Sequence, residues 1–450
     1  MSDLLSIGAS GVRAYQTALS TVGENIANTG VAGYVRRTTQ LREVASTGSR
    51  LGAGMQVEGN GVVVGGILRQ ADAFRSEAVR LSSGDLGRTE TSATWLSRIE
   101  TAMTGNKLGD RLTDFFTAAR SLAADPTSVP SRAVLLEKAS GTAAAFAQTG
   151  QALARATDEL NATAAQSVST MNSLGQALAK VNDGLARTQP GSSQSAQLAD
   201  QRDQLLEQMS AISDLGVRYD EIGRVEVRLG GATGPTFVAG VETGRLSVAR
   251  NDEGAMQFAV QRAGQTFDLS PNAGTLAGVA EGAQRLAAAT DKVDALARDF
   301  AERVNAVQTN GADLDGKPGE PIFAVGTPAS QLTLALTDPR GLAAAAKGSS
   351  AGSRDASNLA ALESLRANAG FEGTVTTIVT DNAAALEQKK LVAEAQSTIR
   401  DNAVAARDSS SGVDLDTEAV ELMRFQQAYQ ASSRVIQTAR DILQTILEIR

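Results

Sequence analysis

The chain has 450 residues with 42 basic against 50 acidic side chains, a net charge of −8, and neither cysteine nor histidine. Those absences exclude disulfide scaffolds, Cys/His zinc sites and Ser-His-Asp or Cys-His nucleophiles, leaving only carboxylate or lysine chemistry open. The acidic balance, with no Lys/Arg stripe, argues against a nucleic-acid or anionic-membrane partner, and no run of about eighteen apolar residues marks a membrane span.

The length suits about two to four domains. Aromatics make up 4% of the chain, while Ala, Gly, Ser, Thr, Asn and Gln abound. Such a composition favours long helices, modest cores and extensive polar contacts, which points to architecture rather than catalysis. Met1-Ser2-Asp3-Leu4-Leu5 lacks the basic and apolar regions of a secretory leader, which by itself predicts a cytoplasmic protein.

A first helix carries Leu5, Val12, Leu19 and Ile26 on every seventh residue, with Gly8, Tyr15 and Val22 at the intervening offset. A strict seven-residue repeat places a narrow apolar stripe on a helix and suits a helical partner. Asn25-Ile26-Ala27-Asn28-Thr29-Gly30 breaks the pattern. Met55–Val57 and Val62–Val64 then flank Gly59-Asn60-Gly61, a hairpin signal. Helical periodicity resumes at Leu81 and runs through Met103. A shorter helix with Leu112, Phe115, Phe116 and Leu122 stops at Asp125-Pro126. From Pro130 to Leu185 an Ala-rich stretch predicts a helix of roughly 80 Å at about 1.5 Å per residue, with Gly141, Gly150 and Gly175 as possible interruptions.

Gln189-Pro190-Gly191 ends that stretch, and another helix covers Leu198 to Ile212. From Gly216 to Pro271 the pattern becomes alternating, as in Val225-Glu226-Val227-Arg228-Leu229, which predicts an antiparallel β insert. Helix returns over Thr275–Val307. A loop, a strand at Leu332–Leu336, and helices at Asn358–Asn368 and Thr374–Arg407 follow. Ser409-Ser410-Ser411-Gly412 reads as a flexible joint before a last helix. That helix repeats the first seam with Leu415, Leu422, Tyr429, Ile436 and Leu443, and with Ala419 and Leu447 in its second set.

The predicted fold is mainly α with an inserted antiparallel β domain, in a discontinuous multidomain chain whose terminal helices pair as a coiled-coil-like core. Residues 1–40 and 410–450 form the terminal assembly core. Residues 41–215 and 272–409 form a helical bundle with short β segments, and residues 216–271 form the β-rich insert. Two ordinary amphipathic helices capping one domain are the plain alternative.

Gly59-x-Gly61-x-x-x-Gly65 lies between extended segments and opens no helix, so it reads as a turn rather than a nucleotide loop. Asp313-Leu314-Asp315-Gly316 lacks the continuation of a calcium loop. Asp414, Asp416 and Glu418 suit a helix N-terminus. Asp200 to Asp203 reads as a solvated or domain-packing face, and Tyr15 and Tyr429 as interface aromatics. No catalytic, cofactor or metal residue is assigned.

Leu4-Leu5-Ser6-Ile7-Gly8 through Asn25-Ile26-Ala27-Asn28 to Gly33-Tyr34 resembles the N-terminal motif of the bacterial flagellar axial proteins. Val31-Ala32 stands where that family usually has Thr-Pro. Ser411-Gly412-Val413-Asp414-Leu415-Asp416 through Gln426-Gln427-Ala428-Tyr429 to Ile436 resembles the C-terminal motif. Internal segments resemble the family's hook–filament junction branch. These are Phe115-Phe116 with Asp125-Pro126 and Arg132, Leu198 to Leu206 with its Asp-Gln-Arg-Asp core, and Gly316–Gly319 with Phe323, Asp338-Pro339 and Leu342–Ala344.

The resemblance implies a non-enzymatic subunit of the external flagellum that leaves the cell unfolded through the type III channel. Its implied partners are the flagellar hook protein, a second junction protein, further copies in a ring, and an export chaperone on the C-terminal helix at Leu422, Phe425, Tyr429 and Ile436. Its implied assembly interface is Leu5, Val12, Tyr15, Leu19, Val22 and Ile26 with Leu415, Leu422, Tyr429, Ile436 and Leu443. Another axial subunit (hook, distal rod or second junction protein) is the nearest alternative, and an enzyme carried in the β insert is a more distant one. Residues 1–30 and 415–450 are expected to gain order on assembly, since isolated helices depend on tertiary packing.

Overall fold

The structure is a computed structural model that describes residues 2–31, 33–44 and 61–448. The expected strand at Met55–Val57 and the turn at Gly59-Asn60 lie outside the described residues, as does Ala32. Helix α1 (Ser2–Ala27) leads into a hairpin of β1 (Arg37–Glu43) and β2 (Val62–Arg69), paired antiparallel with Arg37 opposite Arg69. Val62–Val64 pairs with residues 41–43.

Four helices follow: α2 (Ala73–Gly105), α3 (Leu108–Ala124), α4 (Val129–Arg187) and α5 (Ser193–Ile212). The starts of α2, α4 and α5 are set by side-chain caps, whereas α3 begins after Lys107 without one. Asp72 accepts the N–H of Arg75 at 3.1 Å, and Ser192 accepts that of Ser195 at 3.1 Å. Pro130 sits in the first turn of α4, where its missing N–H costs nothing. The 59-residue α4 runs unbroken through Gly141, Gly150 and Gly175. At Gly175 a Cβ would lie 2.6 Å from Phe237 Cε1, so the glycine marks a close approach of the insert rather than a break.

The insert holds β3 (Leu215–Tyr219), β4 (Val225–Leu229), β5 (Thr236–Ala239) and β6 (Glu242–Thr243) in one antiparallel sheet. A second sheet holds β7 (Arg245–Arg250), β8 (Met256–Arg262) and β9 (Gln265–Leu269). Alternation works as read: Val225, Val227 and Leu229 are buried, with Glu226 and Arg228 more open between them. Helix α6 (Gly274–Thr309) returns to the bundle. The strand pairs β10 (Gly311–Ala312), β11 (Phe323–Ala324), β12 (Thr333–Leu334) and β13 (Ala345–Ala346) follow, then α7 (Ser357–Ala369).

Helix α8 (Phe371–Ser411) lies antiparallel along α2, with the Arg75 guanidinium donating to Ala406 O and Asn382 donating to Leu96 O. The expected joint at Ser409–Gly412 is mostly helix. Ser409 and Ser410 hydroxyls donate back to Ala406 O and Arg407 O, so the break before α9 (Leu415–Glu448) is confined to Gly412–Asp414.

The bundle core gathers a large share of the aromatics. Phe300 touches Phe115 at 5.5 Å, Phe371 at 5.3 Å, Phe323 at 5.2 Å and Phe146 at 5.8 Å between ring centroids. Several of these rings meet edge to face, the arrangement their quadrupoles favour.

A second device joins elements that no strand pairing links. Asn182 of α4 donates Nδ2 to Val225 O at 2.9 Å and to Gly240 O at 2.9 Å, while its Oδ1 accepts Val225 N–H at 3.0 Å. Asn172 does the same to Leu246, and Asn305 of α6 to Phe323. Each amide copies one rung of a β ladder and satisfies backbone groups that would otherwise be buried unpaired.

Candidate assembly interface

Helices α1 and α9 pack antiparallel, with Gly8 and Gly11 beside Ile436 and Ser432, and Tyr15 beside Phe425 at 6.4 Å. A Cβ on Gly8 would lie 2.7 Å from Ile436 Cγ1, and one on Gly11 2.6 Å from Ser432 Oγ. The contact is therefore built on small residues that let the helix axes approach. On α1 it runs through Gly8, Gly11, Ala14, Ala18, Val22 and Asn25, all buried, with Tyr15 half buried. Leu5, Val12, Leu19 and Ile26 lie on its flank, half buried.

On α9 the line is Glu418, Leu422, Phe425, Tyr429, Ser432, Ile436 and Ala439, spaced alternately four and three apart. Glu418 and Ala439 are buried, and Leu422, Phe425, Tyr429 and Ile436 half buried. Leu415, Ala419, Leu443 and Leu447 face outward. The structure thus brings Tyr15, Val22, Leu422, Tyr429 and Ile436 into one contact and leaves Leu415 and Leu443 open.

At the base of this pair the two terminal motifs close on each other. Asn25 accepts Arg37 N–H at 3.0 Å and Tyr34 O–H at 2.9 Å through Oδ1. Its Nδ2 donates to Arg37 O at 2.8 Å and to Glu418 Oε2 at 3.0 Å. Arg36 Nε donates to the other oxygen of Glu418 at 2.6 Å. Glu418 is 0% exposed, so it is a buried partner and not merely a favourable charge near a helix start. Asp414 takes that role, accepting Thr417 N–H at 2.8 Å; this and the neighbouring amides hold its carboxyl below the usual range.

The same knot reaches the bundle. Arg37 donates to Asp200 at 2.7 Å and to Glu24 at 3.1 Å, and Arg69 of β2 donates to Asp200 and Asp203 at 2.8 Å each. Arg202 bonds Asp203 at 2.6 Å, donates to Gly223 O, and stacks on Tyr219 with its guanidinium carbon 4.7 Å from the ring centre. The Asp200–Asp203 segment of α5 is therefore the joint among terminal helices, hairpin and insert, the domain-packing half of the sequence reading. Burial pushes the Tyr34 phenol up to about 12, opposed by Arg37. Burial also raises the Asp200 carboxyl against the pull of Arg69 and Arg37. A glutamate and an asparagine 393 positions apart carry no local signal of their meeting, which is why the sequence missed it.

Among the described residues no group of three or more acidic side chains is placed to hold a metal ion, and no helix is long and apolar enough to cross a membrane. Asp313 closes a turn by accepting the N–H groups of Asp315 and Lys317 at 2.9 and 2.8 Å.

A family model described as the flagellar hook-associated protein FlgK helical domain matches residues 96–323, just over half the chain. The chain belongs to that FlgK family. Residues 406–449 match a second model, the C-terminal segment of the flagellar basal body rod FlgEFG proteins, which covers all of α9 and the end of α8. Flagellar hook-associated protein 1 of Salmonella typhimurium is 32% identical over 73% of this chain and 60% of its own length. The chain thus aligns with less than two thirds of that FlgK relative. Its namesake from Bacillus subtilis is 23% identical over 96% of this chain and 95% of its own length. A solved structure titled as the flagellar hook junction protein FlgK from Burkholderia pseudomallei aligns with a TM-score of 0.49 and 22% identity, over 55% of this chain and 46% of that one.

Proposed function

We propose that this chain is a non-enzymatic structural subunit that joins hook to filament in the external bacterial flagellum, after type III export. Residues 1–40 and 410–450 form its axial core, 41–215 with 272–409 its bundle, and 216–271 an outward insert. The carrying observation is the closure of both terminal motifs on Asn25 and Glu418, beneath an α9 whose other faces expose Val420, Met423, Leu443, Ile446 and Leu447. Exposed apolar side chains on an assembly helix suit burial against neighbours, each worth about 1.5–3 kcal/mol when covered. The names of the relatives support hook association.

The proposed partners are the hook protein, a second junction protein, copies of this chain in a ring, and an export chaperone. Leu422, Phe425, Tyr429 and Ile436, the proposed chaperone face, are the residues α9 turns toward α1. A chaperone there and α1 exclude one another, which keeps the assembly pair open until export. Leu422→Asp or Ile436→Asp should leave the bundle folded yet prevent both chaperone binding and incorporation.

Immunogold labelling of intact flagella with antibody to the bundle tests the location. A narrow band where hook meets filament is expected. Label along the hook or rod would assign the chain to another axial position. Absence of flagellar label would overturn the reading.

A further inference from the structure

The terminal unit of α1, β1, β2 and α9 is joined to the rest of the molecule in a way that leaves it room to turn. Among the described residues, the continuous apolar core runs through bundle and insert, from Trp95 to Ile378, and takes in no side chain of that unit. The chain crosses between the two parts at residues 70–72 and again at 412–414. Both crossings are stitched to one residue, since Gln70 N–H donates to Arg36 O and Arg36 N–H to Ser411 O, each at 2.9 Å. The ionic contacts fall on α5, where Arg37 and Arg69 pair with Asp200 and Arg69 also with Asp203. Beside them Ser193 Oγ donates to Glu24 at 3.0 Å, and Ile67 N–H to Gly191 O at 2.6 Å in the turn before α5.

These contacts occupy the first half of α5. From Asp203 onward the helix lines an open cleft of about 1100 Å³. Asn28, Gly30 and Tyr34 of the terminal unit form one wall of it, and Ser83 and Glu90 of α2 another. At the other end of α5 there is no such room. A Cβ on Gly66 would lie 3.5 Å from Gly191 Cα, so the hairpin and the turn before α5 already meet backbone to backbone.

We propose that the terminal unit is hinged on α5 and swings in one direction, into this cleft, so that the axial helices take more than one angle to the bundle. Parts of a chain that meet through a polar interface without a shared core move relative to one another by default. A hinge needs only a few residues at element ends to absorb the change. Residues 70–72 and 412–414 are such positions, and their common attachment to Arg36 holds them side by side. Asp200 is the pivot: one of its oxygens takes Arg37 and the other Arg69, a point contact that keeps its bonds through a modest rotation where a packed face would not. The Gly66–Gly191 contact stops the swing one way, and the cleft accommodates it the other way. The arrangement described above is the open end of that swing. Within the proposed ring, such a joint lets identical chains present their bundles at different tilts from identical cores.

The chain has no cysteine, so nitroxide labels can be placed one pair at a time on the full-length protein in dilute solution. Thr29→Cys with Glu90→Cys spans the cleft, Thr29→Cys with Gln427→Cys reports the terminal unit alone, and Glu90→Cys with Thr374→Cys reports the bundle; all four positions are exposed. Distances are read by pulsed electron–electron double resonance. The expected result is a cross-cleft distribution several times broader than the other two, or split in two, with the added population at shorter distance. A single cross-cleft distribution as narrow as that of the bundle pair would overturn the hinge. Equal breadth in the Thr29–Gln427 pair would also overturn it, by assigning the motion to loosened helices rather than to a swinging unit. A population at longer distance only would overturn its direction. The readout is taken on the free chain, so absence of immunogold label from flagella would overturn the assembly function and leave the hinge standing.

Discussion

Removing the Glu418 carboxylate should uncouple α9 from the rest of the molecule while leaving the bundle intact. Glu418→Ala strips Arg36 and the Asn25 amide of a partner in a site with almost no solvent at the glutamate. Breaking a buried ion pair from one side costs roughly 3–5 kcal/mol. Arg36 is 22% exposed and recovers some hydration, which places the loss near the low end, about 3 kcal/mol. Glu418→Gln should not rescue it. Asn25 Oδ1 already accepts Arg37 N–H and Tyr34 O–H, so the amide cannot flip. A glutamine would then set an N–H group against either Asn25 Nδ2 or Arg36, at a cost of about 1–3 kcal/mol.

Amide exchange measured by mass spectrometry on the full chain reads the effect. Residues 415–425 should exchange more than about a hundredfold faster in Glu418→Ala, since about 1.4 kcal/mol is a factor of ten. Peptides from α4 should be unchanged, because the knot touches none of its side chains. In the unaltered protein, protection should be greatest at this base and fall toward residues 2–12 and 436–448. Unchanged exchange at 415–425, or equal loss in α4, would refute the coupling.

Gly8→Val should push α9 off α1, because its first side-chain atom would already sit 2.7 Å from Ile436; a penalty of about 1–3 kcal/mol is expected, read as lost α9 protection at an unchanged bundle melting temperature. Asn182→Leu should destabilise the insert by about 2–4 kcal/mol in urea unfolding, since it leaves Val225 and Gly240 backbone groups unpaired at roughly 1–3 kcal/mol each; an unchanged midpoint would dismiss the amide clamp. Glu281 titrates below its ordinary value: burial opposes ionisation, but hydrogen bonds from Lys389 and Ser92 and the Arg88 charge prevail. A depressed folded pKa gives stability that is present above the unfolded value and lost as pH falls through the folded one. Glu281→Gln should therefore lose less melting temperature than the unaltered chain between about pH 5 and pH 3, and parallel curves would count against the link.

The long helices and the β insert were legible because their signals are local. Periodicity needs only neighbours in sequence, and the alternation of Val225–Leu229 or the cap at Asp125-Pro126 lies within a few residues. The terminal contact was legible in part: Gly8, Tyr15, Val22, Leu422, Tyr429 and Ile436 of the two seams meet, whereas Leu5, Val12, Leu19 and Ile26 fall on its flank, because close approach selects Gly11, Ala14 and Ala18 beside them. Glu418 and Asp200 look like surface charges in any window, since their partners Asn25, Arg36, Arg37 and Arg69 come from distant segments. The helix asparagines have no periodic signature. Only the fold shows that Asn25, Asn172, Asn182 and Asn305 each hold the edge of a separate chain segment.

That difference in phase bears on assembly. Small residues of α1 let the helix axes approach but leave Leu422, Phe425, Tyr429 and Ile436 of α9 only half buried, so the pair realises part of the apolar burial open to it; the ionic knot fixes its base. The larger side chains on α1 and α9 remain wholly or partly open, and burying them is the greater gain, available only from neighbours. Order should then spread outward from Asn25 and Glu418 as copies arrive. Under the proposed assembly, the geometry of the first contact is set inside one chain and most of its stability comes from neighbouring subunits.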